Sequence, residues 1–475
     1  MSAPFLFAPA LRRHVAKPLH SYIRLHDSVR HITGVTGTTG ATAAGTAPSP
    51  VAIPSRTALS RLPWLQLVRS MALTTLMCSP TLLKPSIAAM GLITHPKVSF
   101  LDPESNTVLN RLIRWVVYDQ FCAGANKTEV AKSLGDFKSL GYQGVILTFA
   151  KEIVLDEKQR DSAVSEATGD YSQSCYDMVE SWKQSSLDSL RMIEAGDVLA
   201  MKVTGAGPIA VDALQSMKPM PKVIDDALTE LCAEAKKQGS RVWFDAEQQS
   251  VQHGIDEWAI ELMRRWNADG QALVYNTIQA YLKASEANAD RHIAAAAKEG
   301  WKLGLKLVRG AYIEHEERGL IHDTKEDTDN CYDSISDKLI NQKLPEDAAG
   351  YEFPAANLML ATHNAESTAK ACQAHKLRVV SDQTTCGLEC AQVAGMADEL
   401  GCELIMNYEN TLADQAAANA IVPKPYKCLT WGSVGECMGY LHRRAIENKG
   451  AVERTKHMAA ALRKEFMHRL TPKFY

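Results

Sequence analysis

The stretch LGLKLVRGAY, residues 303–312, begins as a short apolar run and ends in charged and polar residues. Its spaced leucines and its valine predict a β-strand. Lys306, Arg309 and Tyr312 interrupt or follow the apolar pattern. The stretch therefore predicts a buried strand whose carboxyl end carries candidate functional side chains.

Seven more stretches of this kind lie after about residue 106, and segments with helical periodicity separate them. Eight strands that alternate with helices predict a closed parallel (βα)8 barrel. Two other apolar runs, LRVVSDQ (377–383) and CELIMN (402–407), compete for a place among the eight strands. The seven stretches are GVILTFA (144–150), VLAMKVTG (198–205), RVWFDAE (241–247), ALVYNTIQAY (272–281), LMLATHN (358–364), ECAQVAG (389–395) and YKCLTWG (426–432).

Polar residues stand where the apolar pattern of these predicted strands stops. In a (βα)8 barrel the carboxyl ends of the strands form one rim, and that rim carries the active site. Unpaired charges at a buried rim are costly, so these residues must pair with one another or face a charged ligand. Cations outnumber anions, which favours a ligand with phosphate or carboxylate groups. The residues are Lys202, Asp245, Glu247, Gln279, Lys306, Arg309, Tyr312, His363 and Asn364.

Six of these nine residues also have a purely structural interpretation. The lysines and the arginine would then be surface charges at strand ends. The two carboxylates would cap helices or form strand-end ion pairs. His363 would be a buried histidine with satisfied hydrogen bonds.

The string YLHRRAIEN (440–448) places Arg443 and Arg444 next to each other on a predicted helix. Neighbours on a helix project about 100° apart, so both side chains reach one object only if it lies between their directions. A carboxylate fits that position because guanidinium groups bind it with two hydrogen bonds. The alternative is a surface pair supported by Glu447 on the next helical turn.

The composition narrows the class of protein. Of 475 residues, 46% are hydrophobic and 23% charged, with a formal net charge of −3, which predicts a globular protein with a large core. Basic stripes of the kind that bind nucleic acid are absent from the sequence. The eleven cysteines form no CxxC pair, so we expect neither a metal site nor a disulfide framework. There is no HExxH, GxSxG, P-loop or dinucleotide-binding fingerprint.

The first hundred residues differ from the rest because Asp27 is their only acidic residue, against ten lysines and arginines. This composition predicts a mitochondrial presequence followed by a disordered linker in residues 1–60. The alternative is a disordered tail that carries no targeting signal. The apolar residues from Leu62 to Leu92 are interrupted by charges and prolines, so they do not form a membrane span. We expect this segment, within an extension at 61–105, to pack on the barrel or to lie on a membrane surface.

Seven strings, in this order along the chain, resemble the proline dehydrogenase family. KLVRGAY and the paired arginines before AIEN are the most specific of them. The strings are MKVTGAG (201–207), WFDAEQQ (243–249), YNTIQAYLK (275–283), KLVRGAY (306–312), ATHNAES (361–367), AQVAGM (391–396) and YLHRRAIEN (440–448).

The resemblance implies a distorted, TIM-like (βα)8 barrel at residues 106–475 that holds FAD noncovalently over the carboxyl ends of its strands. It implies oxidation of L-proline to 1-pyrroline-5-carboxylate, with electrons passed to a membrane quinone, ubiquinone. It also implies a mitochondrial location on the matrix side of the inner membrane, with peripheral contact to that membrane.

The resemblance also assigns roles to individual residues. Arg443 and Arg444 are expected to hold the substrate carboxylate. Ala311 and Val393 are expected to form apolar walls of the pocket, and Lys202 is expected to pair with Asp245. The expected substrate-binding residues are Lys202, Asp245, Ala311, Tyr312, Val393, Arg443 and Arg444. The expected cofactor-binding residues are Gln279, Lys306, Arg309, Gly310, Thr362, His363, Asn364 and Glu447.

One position departs from the family pattern. The family often carries a tyrosine in a YxPYG-like string of the last strand, beside the substrate ring, whereas this chain reads YKCLTWG with Cys428 and Trp431. If Cys428 faces the ring, the pocket is roomier, unless Tyr426 or Trp431 fills the gap instead. A hydroxyproline dehydrogenase on the same scaffold is the second hypothesis. A barrel hydrolase without flavin, or an inactive amino-acid-binding protein, is the third.

Overall fold

The computed structural model describes residues 57–94, 96, 98–150, 171–313, 316–414, 422–449 and 452–471. Most of the predicted presequence, residues 1–56, lies outside this part of the chain. Within it, the side chains of residues 80, 414, 447–449 and 452–455 are not described.

Eight parallel strands close into a barrel, which confirms the predicted fold and all eight predicted strands. The sheet order is β1-β9-β2-β3-β4-β5-β6-β7-β8, and β9 also pairs with β8. The two competing apolar runs belong to helices. The barrel strands are β2 (Gly144–Phe149), β3 (Val198–Met201), β4 (Arg241–Phe244), β5 (Val274–Gln279), β6 (Leu303–Val308), β7 (Ala356–Ala361), β8 (Gly387–Val393) and β9 (Lys424–Trp431).

A ninth strand, β1 (Cys122–Gly124), was not predicted from the sequence. It pairs in parallel with the end of β9, through Cys122 and Thr430 and through Gly124 and Trp431. Three residues are too short to show an alternating pattern, so only the sheet neighbour identifies this strand.

Helices precede, surround and follow the barrel. A π-helical turn (Arg114–Tyr118) and a short helical turn (Asp119–Phe121) lead from α3 to β1. The helices are α1 (Trp64–Met77), α2 (Pro80–Thr94), α3 (Thr107–Ile113), α4 (Lys127–Leu140), α5 (Gln173–Leu190), α6 (Pro208–Gln215), α7 (Lys222–Gln238), α8 (Gln249–Trp266), α9 (Ser285–Glu299), α10 (Lys325–Ile340), α11 (Ala365–Val380), α12 (Asp398–Asp414), α13 (Val434–Lys449) and α14 (Val452–Leu470).

The amino end of the barrel interior is filled by large side chains around one buried ion pair. Arg241 Nη1 donates to Glu389 Oε2 at 2.7 Å and to the hydroxyl of Tyr275 at 3.0 Å. Arg241 Nη2 donates to the hydroxyl of Tyr426 at 2.9 Å. A Cβ at Gly144 would lie 2.2 Å from a ring carbon of Tyr426, so only glycine leaves room for this ring. The amino end is therefore packed, and ligands have access only from the carboxyl end.

The N-terminal extension is joined to the barrel by a buried polar network. Ser70 of α1 donates from Oγ to Asp398 Oδ2 at 3.1 Å and accepts from Gln120 Nε2 at 2.8 Å. Asp398 in turn accepts from Lys427 Nζ of β9 at 3.1 Å, and both side chains are buried. Burial opposes the charge of Lys427, but Tyr142 and Asp398 hold its pKa above the ordinary value. The barrel wall thus contains a buried lysine whose charge is stabilised by Asp398, and Ser70 of the extension donates to that same carboxylate.

Among the described residues, no single helix is long and apolar enough to cross a membrane. Helix α1 and residues Thr81–Thr94 of α2 are long and apolar enough only when they are taken together, and the two helices are bent by 100° relative to each other.

We predict that Asp398→Asn lowers the free energy of unfolding by about 3–5 kcal/mol, because it leaves the buried ammonium of Lys427 without its counter-charge. Denaturant titration followed by circular dichroism measures this loss. Asp226→Asn is the matched control because the Lys222–Asp226 pair is exposed, and removing it should change stability by less than about 1 kcal/mol. Equal losses for the two variants would contradict the prediction.

Candidate active site at the carboxyl end of the barrel

The alternation of strand residues places several predicted side chains on the inner face of the barrel. Ala200, Trp243 and Tyr426 belong to one cluster inside the barrel. Two residues further along β3, β4 and β9 stand Lys202, Asp245 and Cys428, which share that inner face. The site is therefore built on inward-facing positions at or near the carboxyl ends of these strands.

Lys306 and Asp245 form the ion pair at the centre of this rim. Lys306 Nζ donates to Asp245 Oδ1 and lies 5.2 Å from the ring centroid of Trp243. The side chain of Lys306 is only 12% exposed to solvent and that of Asp245 only 18%. Sequence analysis expected Lys202 as the partner of Asp245, and the contact with Lys306 was not foreseen.

Lys306, Asp245 and Arg444 all lie close enough to Cys428 to act electrostatically on its thiol. Burial raises the pKa of the Cys428 thiol to about 11, while Lys306 opposes the rise, Asp245 adds to it and Arg444 opposes it. The thiol is therefore neutral near physiological pH. Cys428 therefore lies close to charged groups of the site, and its place beside a substrate ring stays a prediction.

Arg444 reaches the rim from helix α13. Its guanidinium carbon lies 5.3 Å from the ring centroid of Tyr440, one turn earlier on the same helix. Arg443 is half-buried beside it. Glu447 lies on this helix as predicted, but its side chain is outside the described part of the structure. The helix thus presents at least one arginine to the group of charges around Lys306.

Glu247 braces the turn that follows Lys202. Thr204 donates to its carboxylate through the backbone nitrogen at 3.2 Å and through its hydroxyl. Burial raises the pKa of Glu247, and Lys202 and Thr204 counter part of that rise. Its carbonyl oxygen accepts from Gln279 Nε2 at 3.0 Å. The sequence placed Glu247 at the rim without a definite role, because its contact with Thr204 depends on how β3 and β4 lie side by side.

Arg309 is held by three side chains from neighbouring elements. Its Nε donates to Asp329 Oδ1 at 2.7 Å, Nη1 to Thr362 Oγ1 at 2.6 Å and Nη2 to Ser367 Oγ at 2.9 Å. The guanidinium also stacks on Tyr332, with its carbon 4.3 Å from the ring centroid. These contacts fix Arg309 between β6, α10 and α11, next to the predicted residue Thr362.

The end of β7 contributes two further predicted residues. His363 Nε2 accepts from the backbone nitrogen of Val393 at 3.2 Å, so this ring nitrogen carries no proton. Asn364 caps α11 by accepting from the backbone nitrogens of Glu366 at 3.0 Å and Ser367 at 3.3 Å. The side-chain oxygen of Asn364 thus caps a helix, and the ring of His363 contacts the backbone of the neighbouring strand β8.

The loop after β6 carries Gly310, Ala311 and Tyr312. Gly310 has a φ of +145°, and a Cβ there would lie 2.3 Å from a ring carbon of Tyr281. Gly310 and Ala311 are exposed and Tyr312 is half-buried. Among the described residues, no group of three or more histidine, cysteine, aspartate or glutamate side chains could hold a metal ion. The site is thus a cationic rim with an exposed, glycine-containing edge.

An eight-stranded parallel barrel with a cationic carboxyl rim defines a (βα)8-barrel protein suited to an anionic ligand. The family model described as proline dehydrogenase matches residues 130–457. The chain therefore belongs to the proline dehydrogenase family.

Individual relatives agree with this assignment, and a solved structure shares the fold. A probable mitochondrial proline dehydrogenase of Schizosaccharomyces pombe is 35% identical over 249 residues, which cover 50% of this chain and 49% of the relative. A hydroxyproline dehydrogenase of Homo sapiens is 30% identical over 243 residues, which cover 50% of this chain and 49% of the relative. The chain thus spans about half the length of these relatives. A crystal structure of proline utilization A from Bdellovibrio bacteriovorus superposes with a TM-score of 0.55 at 18% identity, over 84% of this chain and 40% of that one, which supports the fold.

We predict slow alkylation of Cys428 near neutral pH, because burial raises its pKa to about 11 and the thiolate is the reactive form. The rate should rise about tenfold per pH unit between about pH 7 and pH 10. Iodoacetamide treatment and mass spectrometry of the peptide measure the rate, and Cys78, half-buried at the end of α1, provides the comparison. Equal alkylation rates for Cys428 and Cys78 at neutral pH would contradict the buried environment of the Cys428 thiol.

Proposed function

We propose that this protein is an FAD-dependent proline dehydrogenase that oxidises L-proline to 1-pyrroline-5-carboxylate, the first step of proline catabolism. The observation that carries the proposal is the convergence of Lys306, Asp245 and Arg444 around Cys428 at the carboxyl end of the barrel. Membership of the proline dehydrogenase family supports it.

The substrate anion explains the cationic end of helix α13. L-Proline carries a carboxylate, and Arg444 with Arg443 would bind it through paired hydrogen bonds. Lys202, Asp245 and Tyr312 would surround the ring and its amine. Ala311 and Val393 would supply apolar walls.

Apart from Glu447 on helix α13, the residues proposed for FAD lie at or near the ends of three strands that are neighbours in the sheet. Strands β5, β6 and β7 are consecutive, and the cations on β6 occupy the middle of this edge. Gly310, in the exposed loop beyond them, has no side chain, which lets the ring of Tyr281 pack against its backbone. These features fit a large, anionic cofactor. The proposed residues are Gln279, Lys306, Arg309, Gly310, Thr362, His363, Asn364 and Glu447.

When bound, FAD would accept a hydride from the ring carbon next to the substrate nitrogen. Lys306 would place a positive charge where a reduced flavin gains negative charge, and Asp245 would keep the ammonium in position. The substrate amine must also lose a proton. The exposed loop at Gly310 and Ala311 gives solvent access to the rim, so water can accept that proton and we assign no residue as a base.

A second candidate function is hydroxyproline dehydrogenation on the same scaffold. Cys428 favours it because a small side chain at the barrel centre leaves room for a ring hydroxyl. The human relative that carries the name hydroxyproline dehydrogenase is consistent with this candidate.

We place the protein on the matrix side of the mitochondrial inner membrane, with ubiquinone as electron acceptor. The acid-poor first hundred residues support import. Several relatives, including the probable proline dehydrogenase of Schizosaccharomyces pombe, are named as mitochondrial proteins. Electron transfer to a quinone would require contact with the membrane.

Anaerobic flavin reduction tests the function and the substrate together. Purified protein should show visible flavin absorbance that bleaches when L-proline is added. Faster bleaching by 4-hydroxy-L-proline would favour the second candidate. Cys428→Tyr should fill the pocket and raise the preference for L-proline over the hydroxylated substrate about tenfold or more, whereas Cys78→Tyr should leave it unchanged. Protein that stays colourless after incubation with FAD would eliminate both flavin functions and leave a hydrolase or an inactive binding protein.

Steady-state kinetics of Arg444→Met test the carboxylate contact. Loss of one charged hydrogen-bonding partner should raise KM strongly and cost about 2–5 kcal/mol in kcat/KM, while the flavin absorbance remains. Arg191→Met is the matched control because Arg191 is an exposed arginine at the end of α5. An unchanged KM for Arg444→Met would rule out this role.

A further inference from the structure

A chain of buried polar side chains runs from the space between helix α8 and the barrel to the candidate active site. It includes residues of α8 and β5 and the carboxylate that braces the turn after Lys202. Buried polar groups are costly unless their hydrogen bonds are satisfied, so the arrangement of such a chain is specific. Its members are all more than nine-tenths buried: Glu247, Gln252, Asp256, Asn276, Gln279 and His292.

Asp256 of α8 is the centre of this chain. Its Oδ1 accepts from Gln252 Nε2 at 2.8 Å and from Asn276 Nδ2 at 2.8 Å, and its Oδ2 accepts from Asn288 Nδ2 at 2.9 Å. The guanidinium of Arg291 lies 3.7 Å from Oδ2 and adds a positive charge. An ionised carboxylate accepts hydrogen bonds and donates none, so the three amide groups must turn their nitrogen atoms toward it.

His292 of α9 fixes the same arrangement from a second direction. Its Nδ1 donates to the carbonyl oxygen of Asn288 at 2.8 Å, which leaves Nε2 to accept from Asn276 Nδ2 at 3.0 Å. Burial lowers the pKa of His292, which keeps the ring neutral near physiological pH. The amide of Asn276 therefore donates to His292 and to Asp256, and this strand residue ties β5 to α8.

The orientation of Gln252 carries the constraint to the loop after β4. Because Nε2 is turned toward Asp256, Oε1 is free to accept from the backbone nitrogen of Glu247 at 2.7 Å. Gln252 and Asp256 lie four residues apart, on one face of α8. A flipped amide would place two donors against each other at Glu247, so Asp256 decides which end of Gln252 meets the loop.

Glu247 passes the constraint to two proposed site residues. Its carboxylate accepts from the backbone nitrogen and the hydroxyl of Thr204, in the turn directly after Lys202. Its carbonyl oxygen accepts from Gln279 Nε2 at 3.0 Å. The position of Glu247 therefore affects the substrate side of the site through Lys202 and the cofactor side through Gln279.

Helix α8 is itself fixed around Asp256. A Cβ at Gly254 would lie 2.7 Å from the carbonyl oxygen of Leu214 in α6, so only glycine permits this close approach of the two helices. Trp258 Nε1 donates to the carbonyl oxygen of Lys218 at 3.3 Å. Asp256 lies between these two anchored residues, so its carboxylate is a rigid support for the chain.

We propose that Asp256 is a positioning residue of the active site, which acts through Gln252 and Glu247 on Lys202 and Gln279. The inference rests on the proposed function, because Lys202 and Gln279 are the residues assigned there to substrate and cofactor. Asp256 acts by holding the backbone of Glu247 in one place. Small displacements of groups that orient a substrate against a cofactor cost much of the rate.

Replacing Gln252 by leucine breaks the link between Asp256 and Glu247. The Gln252→Leu variant should bind FAD about fivefold or more weakly, because the backbone nitrogen of Glu247 loses its acceptor and the partner of Gln279 is no longer held. Its kcat with L-proline should fall about tenfold, while KM changes by less than about threefold because the arginines proposed for the carboxylate lie on α13. Ultrafiltration of the holoprotein at several dilutions and steady-state kinetics measure these values.

Gln173→Leu is the matched control. Gln173 Nε2 donates to Asp177 Oδ1 at 3.0 Å with the same spacing of four residues near the start of α5, but both side chains are exposed. This variant should keep the kcat, the KM and the FAD affinity of the wild type.

An exchanged pair tests whether the order of donor and acceptor matters. Gln252→Glu alone should be impaired like Gln252→Leu, because it places two carboxylates against each other. The double variant Gln252→Glu with Asp256→Asn should recover kcat to within about threefold of the wild type. The new amide then donates to the new carboxylate, which still accepts from the backbone nitrogen of Glu247.

Hydrogen exchange separates this inference from the proposed function. Mass spectrometry should show faster exchange of backbone amides 203–207 in Gln252→Leu than in the wild type, whether or not L-proline is a substrate. Flavin that L-proline fails to reduce in the wild type would refute the proposed function, and the exchange rates would still decide the positioning role.

Two outcomes would overturn the proposal. One is Gln252→Leu protein with the kcat, FAD affinity and exchange rates of the wild type, since a lowered melting temperature alone would make the chain a stabilising feature only. The other is a double variant no more active than Gln252→Glu. That second comparison decides by itself if Gln252→Leu does not fold.

Discussion

Closure of the sheet through β9, which pairs with both β2 and β8, is the constraint on which the rest of the structure depends. A closed barrel surrounded by helices buries both faces of every strand, so a charge inside it needs a partner or an opening. Arg241 meets this requirement at the amino end through Glu389 and two tyrosines. At the carboxyl end, Lys306 and Asp245 pair where a ligand can still reach them.

The residues around this opening are held in place before any ligand binds. Arg309 is fixed by Asp329, Thr362 and Ser367, and the turn after Lys202 is fixed by Glu247. Such bracing matters for hydride transfer because small displacements of the reacting groups cost much of the rate. It also explains why several candidate residues contact one another in this structure.

The N-terminal extension has two faces with different environments. One face of α1 supplies Ser70 to the buried Asp398, so the extension contributes to the stability of the barrel wall. The outer faces of α2 and α3 expose leucines and a tryptophan that no described residue covers. The extension therefore contacts the barrel through one face and leaves apolar side chains of its other face exposed within the described part of the chain.

The sequence by itself determined the eight barrel strands, the group of charges at their carboxyl ends and the family, because periodicity and short motifs are local properties of the chain. It did not reveal β1, whose identity depends on its pairing with β9. It also gave Lys427 no distinguishing signal, although this lysine is buried against Asp398. Only the tertiary structure paired Asp245 with Lys306, which lies 61 residues away in the sequence. The reason is that the order of strands in the sheet decides which strand ends are neighbours, and therefore which charged side chains come within contact distance.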